Sequence, residues 1–95
     1  MDRIEIVWTE EALEEFAQIV DFYAARNKSD SYGIRLKKKL NTVLALIRAF
    51  PRIGKISEDG ETCVFAIDKF LLLYTIDQSS IFILSFWDPK QYEMK

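Results

Sequence analysis

The chain contains no histidine, one cysteine, three glycines and two prolines. Without histidine, the Ser-His-Asp and Cys-His nucleophile systems are excluded, and so is zinc held by histidine. The lone Cys63 cannot form an internal disulfide or a thiolate metal site. The glycines stand singly, so the sequence has no glycine-rich loop to hold a phosphate. We therefore expect no metal and no cofactor, and any catalysis must depend on Lys, Arg, Tyr, Asp or Glu.

The sequence also has no long apolar run and no sign of a targeting segment. A membrane helix needs roughly 20 apolar residues, and the longest run here is far shorter. The N-terminus, MDRIEIVW, lacks the basic region and apolar core of a signal peptide. Together with a single cysteine, these absences predict a cytoplasmic protein that does not act at a membrane.

What is present is the composition of a folded domain. The 95 residues are 49% apolar and 29% charged, which predicts one domain over residues 1–95 with a single core. The net charge is −2 and the pI is near 5.1. A general nucleic-acid binder is usually strongly basic, because neutralisation of phosphates drives its affinity. The charge therefore argues against unaided binding of RNA or DNA but leaves a local basic patch open.

Two apolar segments near the C-terminus are the strongest structural signal. Phe70 to Ile76 and Ile81 to Phe86 are almost continuously apolar, as in strands in the middle of a sheet that are covered on both faces. Asp77 to Ser80 has the composition of a turn between them. Pro89 ends strand pairing because it has no N–H to donate. The predicted sheet would thus present four polar or amphipathic side chains at its rim. They are Trp87, Asp88, Lys90 and Gln91.

The first half of the chain predicts a strand followed by two helices. Arg3 to Trp8 alternates as a strand does, and Thr9 is a plausible N-cap for a helix over Glu10 to about Arg26. A second helix should run from Ser31 to about Phe50, where Pro51 ends it. The apolar stripe predicted for the first helix consists of Leu13, Phe16, Ala17, Val20, Tyr23 and Ala24. Because the connecting turn is short, the two helices should form an antiparallel hairpin.

After Pro51 the apolar period becomes that of strands. Arg52 to Ser57 suggests an irregular strand or loop, and Glu58 to Glu61 is a turn before a strand over Thr62 to Ile67. The predicted fold is therefore α+β. An N-terminal strand precedes the helix hairpin, which packs on one face of three or four antiparallel strands.

Three segments resemble RelE/ParE-type toxins of bacterial type II toxin–antitoxin systems. Trp8 to Ala12 resembles the family's entry from strand to helix, and Phe50 to Gly54 its "P-x-x-G" element. Phe70 to Tyr74, with Ile81 to Gln91, resembles its last strand pair and its "WD-x-[RK]-Q" ending. The resemblance implies a cytoplasmic growth inhibitor, of the kind associated with plasmid stabilisation. It also implies a cognate antitoxin that wraps the toxin, and a possible homodimer or toxin–antitoxin hetero-oligomer.

The family divides by target. RelE-like toxins cut messenger RNA on the ribosome, whereas ParE-like toxins poison DNA gyrase. RelE-like enzymes commonly have an arginine just before "[LIV]-x-Y", where this chain has Leu71, and basic residues on the preceding strand, which here reads Thr62 to Ala66. The resemblance therefore favours a ParE-like, gyrase-directed toxin or a member with weakened activity. The alternatives are a ribosome-dependent endoribonuclease and a non-toxic interaction module.

Eight residues are candidates for function. As catalytic residues of an endoribonuclease, the sequence offers Lys90, Tyr92, Lys55 and Arg52. As binding residues for a target or partner, it offers Trp87, Asp88, Gln91 and Lys69. Three of them have a plainer interpretation: Trp87 would close the end of the sheet, Asp88 would cap a turn, and Lys90 would be a solvated lysine. Arg52, Lys55, Lys69 and Lys90 would form a basic patch if the sheet brought them together.

Other features have structural interpretations that we favour. Tyr74 is more consistent with the core than with catalysis, and Cys63 with a small buried apolar residue. The basic run Arg35 to Lys39 is better explained as a solvated face opposite the acidic first helix. The exposed parts of the helix hairpin are a candidate groove for the antitoxin.

Overall fold

The computed structural model describes residues 4–90 and, within them, contains two helices and five strands. In chain order they are β1 (Glu5–Trp8), α1 (Glu10–Asn27), α2 (Ser31–Ala49), β2 (Lys55–Ile56), β3 (Cys63–Ile67), β4 (Phe70–Asp77) and β5 (Ser80–Trp87). The predicted α+β class, with an N-terminal strand, a helix hairpin and then antiparallel strands, is confirmed. Neither of these helices is long and apolar enough to cross a membrane.

The strands form one mixed sheet in the order β1-β5-β4-β3-β2. From β2 to β5, each strand pairs antiparallel with the next along the chain. In contrast, β1 pairs parallel with β5, from Glu5 opposite Ser80 to Trp8 opposite Ile83. A parallel pair needs a long crossover between its strands, and here the helix hairpin and the other strands lie between them.

Thr9 joins β1, α1 and β5 at one point. Its N–H donates to the Ile83 carbonyl at 3.1 Å, and its hydroxyl donates to the same oxygen at 2.9 Å. The hydroxyl oxygen also accepts the Ala12 N–H at 3.2 Å, as an N-cap does. The predicted N-cap is therefore confirmed, and the start of α1 is fixed to the sheet.

The core lies between the helices and one face of the sheet. Aromatic rings from α1 and from strands β4 and β5 form its middle. The ring centres of Phe16 and Phe86 lie 5.5 Å apart, and those of Phe86 and Phe70 lie 5.2 Å apart. The ring centres of Tyr23 and Phe70 lie 6.5 Å apart. From α2, Leu36, Leu40 and Ile47 complete this core.

The buried side of α1 differs from the predicted stripe. Ala12 and Ile19 are buried, whereas Leu13, which the pattern placed in the stripe, is 53% exposed. The predicted stripe joined residues that pack against two different elements, the sheet and α2. Phe16 faces the sheet, while Val20 faces α2, where a Cβ added at Gly33 would lie 2.9 Å from the Val20 Cγ1 atom.

We expect Thr9→Ala to lower the free energy of unfolding by about 1–2 kcal/mol, because it removes an N-cap and a side-chain bond to the sheet. Urea unfolding followed by circular dichroism measures this change. Thr42→Ala is the matched control, because the Thr42 hydroxyl only donates to the Lys38 carbonyl on an exposed helix face. If Thr9→Ala lowers the free energy of unfolding no more than Thr42→Ala does, the hydrogen bonds of the Thr9 side chain contribute little to stability.

Candidate functional site

One face of the sheet has no helix on it, and we call it the open face. In the strand register, Leu71 lies beside Ala66 and Trp87, while Leu73 lies beside Val64 and Ser85. These side chains alternate along the strands with the core residues Phe70, Leu72 and Tyr74. The members of the open face are Glu5, Val7, Lys55, Val64, Ala66, Leu71, Leu73, Thr75, Asp77, Ser80, Phe82, Ser85 and Trp87.

The prediction that β4 and β5 are covered on both faces is wrong for this second face. Leu71, Leu73 and Phe82 are only half-buried, whereas Leu72 and Ile83 are fully buried. Both helices pack on the core side, and α1 reaches the open face at the β5 edge, where the Glu15 carboxylate accepts the Ser85 hydroxyl at 2.8 Å. Continuous apolar sequence therefore marks here an apolar surface that is partly accessible to a partner.

The open face has very little positive charge. Within residues 4–90, Lys55 is the only basic residue that the strand register places on it, opposite Val64 at the β2 edge. Leu71, where RelE-like enzymes would have arginine, lies in the middle of this apolar surface. The face can therefore make apolar contacts over most of its area but offers little to neutralise a phosphate.

The rim beyond β5 shows where several predicted site residues lie. The Asp88 carboxylate accepts the Lys90 N–H at 2.9 Å, which is a local cap on the turn containing Pro89. Trp87 is half-buried and lies opposite Leu71 in the strand register. Gln91 and Tyr92 lie outside the residues that the structure describes.

Lys69 faces the helices and not the open face. Its Nζ atom lies 4.5 Å from the centre of the Tyr23 ring and 5.7 Å from that of Phe70. A side-chain hydrogen bond with Tyr23 raises the pKa of Lys69, and the negative charge of Asp88 adds to this effect. The structure therefore brings Lys69 and Asp88 to the same end of the sheet.

The four predicted basic residues do not form a single patch. Arg52 shares a cleft with Asp77, at the C-terminal end of β4, whereas Lys69 precedes the N-terminal end of that strand. A strand of this length spans about 23 Å. Lys90 follows β5, which lies three strand spacings, or about 14 Å, from the β2 of Lys55.

Tyr74 fixes the loop between α2 and β2. Its hydroxyl donates to the Pro51 carbonyl at 2.8 Å and accepts the Gly54 N–H at 3.0 Å. Glycine is required at position 54, because an added Cβ would lie 2.7 Å from the Tyr74 hydroxyl oxygen. Burial raises the pKa of Tyr74, so the hydroxyl stays protonated and can donate. Tyr74 is thus a core residue that positions the loop carrying Arg52.

Asp59 fixes the other end of β2. Its Oδ1 atom accepts the N–H groups of Glu61 and Thr62 and the Ser57 hydroxyl, each at 2.8 Å. Its Oδ2 atom accepts the Thr62 hydroxyl at 2.7 Å. These hydrogen bonds, first of all that from the Thr62 backbone, hold the pKa of Asp59 well below its usual range. Both ends of the short β2 strand are therefore held in place.

Three exposed apolar side chains lie in β2 or just before it. We call these residues, Phe50, Ile53 and Ile56, the β2 corner. Their exposed fractions are 62%, 43% and 48%. Beside Ile56 lies a cleft of about 370 Å³. Its lining residues are Arg52, Ile56, Gly60, Glu61, Cys63, Thr75, Ile76 and Asp77. Cys63 forms a buried part of the lining, consistent with its predicted role as a small apolar residue.

Neither the apolar periodicity nor the charge pattern of the sequence singles out the β2 corner. From Ser31 to Ser57 the sequence contains no acidic residue. The basic residues of this segment are Arg35, Lys37, Lys38, Lys39, Arg48, Arg52 and Lys55. Acidic residues follow directly, at Glu58, Asp59 and Glu61. Only the exposure of Phe50, Ile53 and Ile56 in the structure therefore marks this surface.

Comparison with known proteins identifies the relatives of this fold. The family model for the ParE toxin of the type II toxin–antitoxin system, parDE, matches residues 6–91. No curated relative matches the chain.

Two solved structures resemble the chain over most of its length. The first is that of the chromosomal ParDE TA system from P. aeruginosa, with a TM-score of 0.73 and 16% identity. The second is that of the YoeB dimer from Staphylococcus aureus, with a TM-score of 0.63 and 21% identity. Each match covers 88% of this chain and 94% of the other. At these identities the likeness shows a common fold.

We expect Tyr74→Phe to lower the free energy of unfolding by about 1–3 kcal/mol, because it leaves the Gly54 N–H and the Pro51 carbonyl without their partner. Chemical denaturation measures the loss. Tyr32→Phe is the control, because the Tyr32 ring packs on Tyr23 at 4.4 Å in another part of the core. Equal stabilities of the two variants would contradict a positioning role for Tyr74.

Proposed function

The chain belongs to the ParE toxin family of type II toxin–antitoxin systems, and we propose that it arrests bacterial growth by acting on DNA gyrase without cutting RNA. Its cellular compartment in this proposal is the cytoplasm, and its partner is a cognate antitoxin. The P. aeruginosa structure is that of a ParDE toxin–antitoxin system, which supports the antitoxin. The S. aureus structure is that of a dimer, which supports the further proposal that this chain forms a homodimer.

The observation that carries the proposal is the apolar character of the open face. Cleavage of RNA through the ribose 2′-OH needs a base, an acid and cations that stabilise the charged phosphorane. On the open face, Leu71, Leu73 and Val64 occupy the central positions, and Lys55 lies at the edge. A surface of this kind suits contact with another protein better than it suits a phosphate.

The ribonuclease alternative would need Lys90, Lys55 or Arg52, and Tyr92 to act together. Arg52 and Lys55 lie on the β2 side of the sheet, and Lys90 lies beyond β5. Asp88 binds the backbone of Lys90 and is thereby engaged locally. The separation of these cations, with no histidine in the chain, is a further reason to favour the gyrase-directed function.

We expect the chain, expressed without a partner, to stop bacterial growth, and the purified protein to block DNA supercoiling by gyrase. Mapping transcript 5′ ends on translating ribosomes should show no codon-linked cuts, because the open face lacks the cations that such cleavage needs. Codon-linked cuts with unaffected supercoiling would contradict the proposal and favour the endoribonuclease. Normal growth at high protein yield would favour a non-toxic interaction module.

Lys90 is the basic residue that we assign to target contact at the β5 rim. We expect Lys90→Ala to reduce growth inhibition by about tenfold at equal expression, because a hydrogen bond from a charged group to the target is worth about 1.5–3 kcal/mol. Lys37→Ala, which changes an exposed lysine on α2, is the control. Unchanged toxicity of the Lys90 variant would remove Lys90 from the site, while leaving the family function in place.

A further inference from the structure

The strand β5 contains one residue more than the part of β4 that pairs with it. Leu73 of β4 lies opposite Ser85, whereas the next residue, Tyr74, lies opposite Ile83, so Leu84 has no counterpart in β4. An extra residue of this kind is a β-bulge. Bulges are common beside functional sites, where they redirect the side chains that follow them.

The bulge changes which β5 side chains face the core. Ile83 before it and Phe86 after it are both fully buried, although an odd number of positions separates them. Because side chains alternate along a regular strand, a β5 without the extra residue would turn Phe86 to the open face and Trp87 to the core. The bulge is therefore what places Trp87 on the open face, opposite Leu71.

The bulge lies where β5 loses its neighbour β1. The pairing of these two strands ends at Trp8 and Ile83, so beyond Ile83 this edge of β5 has no strand partner among residues 4–90. Polar side chains at the start of α1 bind the edge instead. The Thr9 hydroxyl donates to the Ile83 carbonyl at 2.9 Å and lies 3.4 Å from the Leu84 carbonyl. The N-cap of α1 thus holds the first half of the bulge.

Glu15, in the second turn of α1, holds the second half of the bulge. Its Oε1 atom accepts the Ser85 hydroxyl at 2.8 Å and the Phe86 N–H at 3.1 Å. The carboxylate therefore serves this edge as the backbone carbonyl of a further strand would. Because hydrogen bonds to a charged acceptor are stronger than those between neutral groups, Glu15 fixes the two residues that follow Leu84.

We propose that Glu15 is a positioning residue of the target-binding surface: by fixing the β5 bulge, it holds Trp87 on the open face, where the indole ring contacts the target. The inference rests on the proposed toxin function, since it takes the open face as the surface that meets gyrase. Glu15 acts on the target only through Trp87. Tryptophan is enriched among the residues that dominate protein interfaces, so displacing this one side chain weakens the contact strongly.

The first experiment follows Trp87 in the protein alone, through the NMR signal of its indole N–H, which Trp8→Phe distinguishes from that of the other tryptophan. We expect Glu15→Ala to shift the Trp87 signal by more than its line width, because both hydrogen bonds to the bulge are lost. Glu15→Gln should leave the signal in place, since both bonds end on one oxygen atom and an amide also offers one. Glu14→Ala, which changes the exposed neighbour on the same helix, is the matched control. Unfolding curves verify that each variant is folded.

The second experiment measures the concentration of purified chain that halves DNA supercoiling by gyrase. We expect Glu15→Ala to raise this concentration by about tenfold or more, and Glu15→Gln and Glu14→Ala by less than about threefold. A double-mutant cycle tests the route: Glu15→Ala with Trp87→Ala should need no more protein than Trp87→Ala alone, because the two changes disturb one contact. A general loss of stability would instead multiply the two effects.

An unmoved Trp87 signal in Glu15→Ala, or effects that multiply in the cycle, would overturn the proposal. If Glu15→Ala does not fold, Ser85→Ala takes its place, because it removes one of the two hydrogen bonds to Glu15, and an unmoved Trp87 signal in that variant would overturn the proposal as well. If the unchanged chain leaves gyrase active while the NMR signals respond as expected, the proposed target is wrong and the positioning of Trp87 by Glu15 stands.

Discussion

Both helices lie in the sequence between β1 and β2, which are the two edge strands of the sheet. The chain therefore passes from one edge to the other across a single face, and all of its helical surface covers that face. Two candidate surfaces depend on this one-sided coverage. It leaves the open face without a helix on it, and it brings the end of α2 to the β2 edge.

The crossing is fixed at its two ends by hydroxyl groups. At the start, Thr9 bonds to both the sheet and the first turn of α1. At the end, the Tyr74 hydroxyl holds the loop after α2, in a contact that excludes any side chain at position 54. The short "P-x-x-G" element thus has a physical explanation. Proline ends the helix and supplies the carbonyl acceptor, and glycine makes room for the tyrosine.

Much of the fold could be predicted from the sequence, because local signals and tertiary contacts agree. The N-cap at Thr9, the helix stop before Pro51 and the turn between β4 and β5 are each determined by nearby residues. The exposure of Leu13 could not be predicted, because a 3.6-residue pattern does not distinguish contact with a sheet from contact with a second helix. The uncovered side of β4 was missed for a related reason: an apolar run does not reveal how many faces are covered.

The candidate site was less predictable than the fold, because it depends on which strand ends meet. Arg52 and Lys69 are both basic residues near turns, and only the strand order shows that they lie at opposite ends of β4. The β2 corner depends on exposure, which follows from β2 being the edge strand. In contrast, the lack of cations at Leu71 and its neighbours was already visible in the sequence, and the structure adds that these positions share one surface.

The shortness of β2 has a consequence for the chain when it is alone. A long, flat edge strand invites the same strand of another molecule to pair with it and so to begin aggregation. β2 has only two residues, one of them Lys55, and two fixed loops bound it. It is therefore too short to hold a second β2 by backbone pairing alone. The edge thus discriminates by its length against strand pairing between two copies of β2.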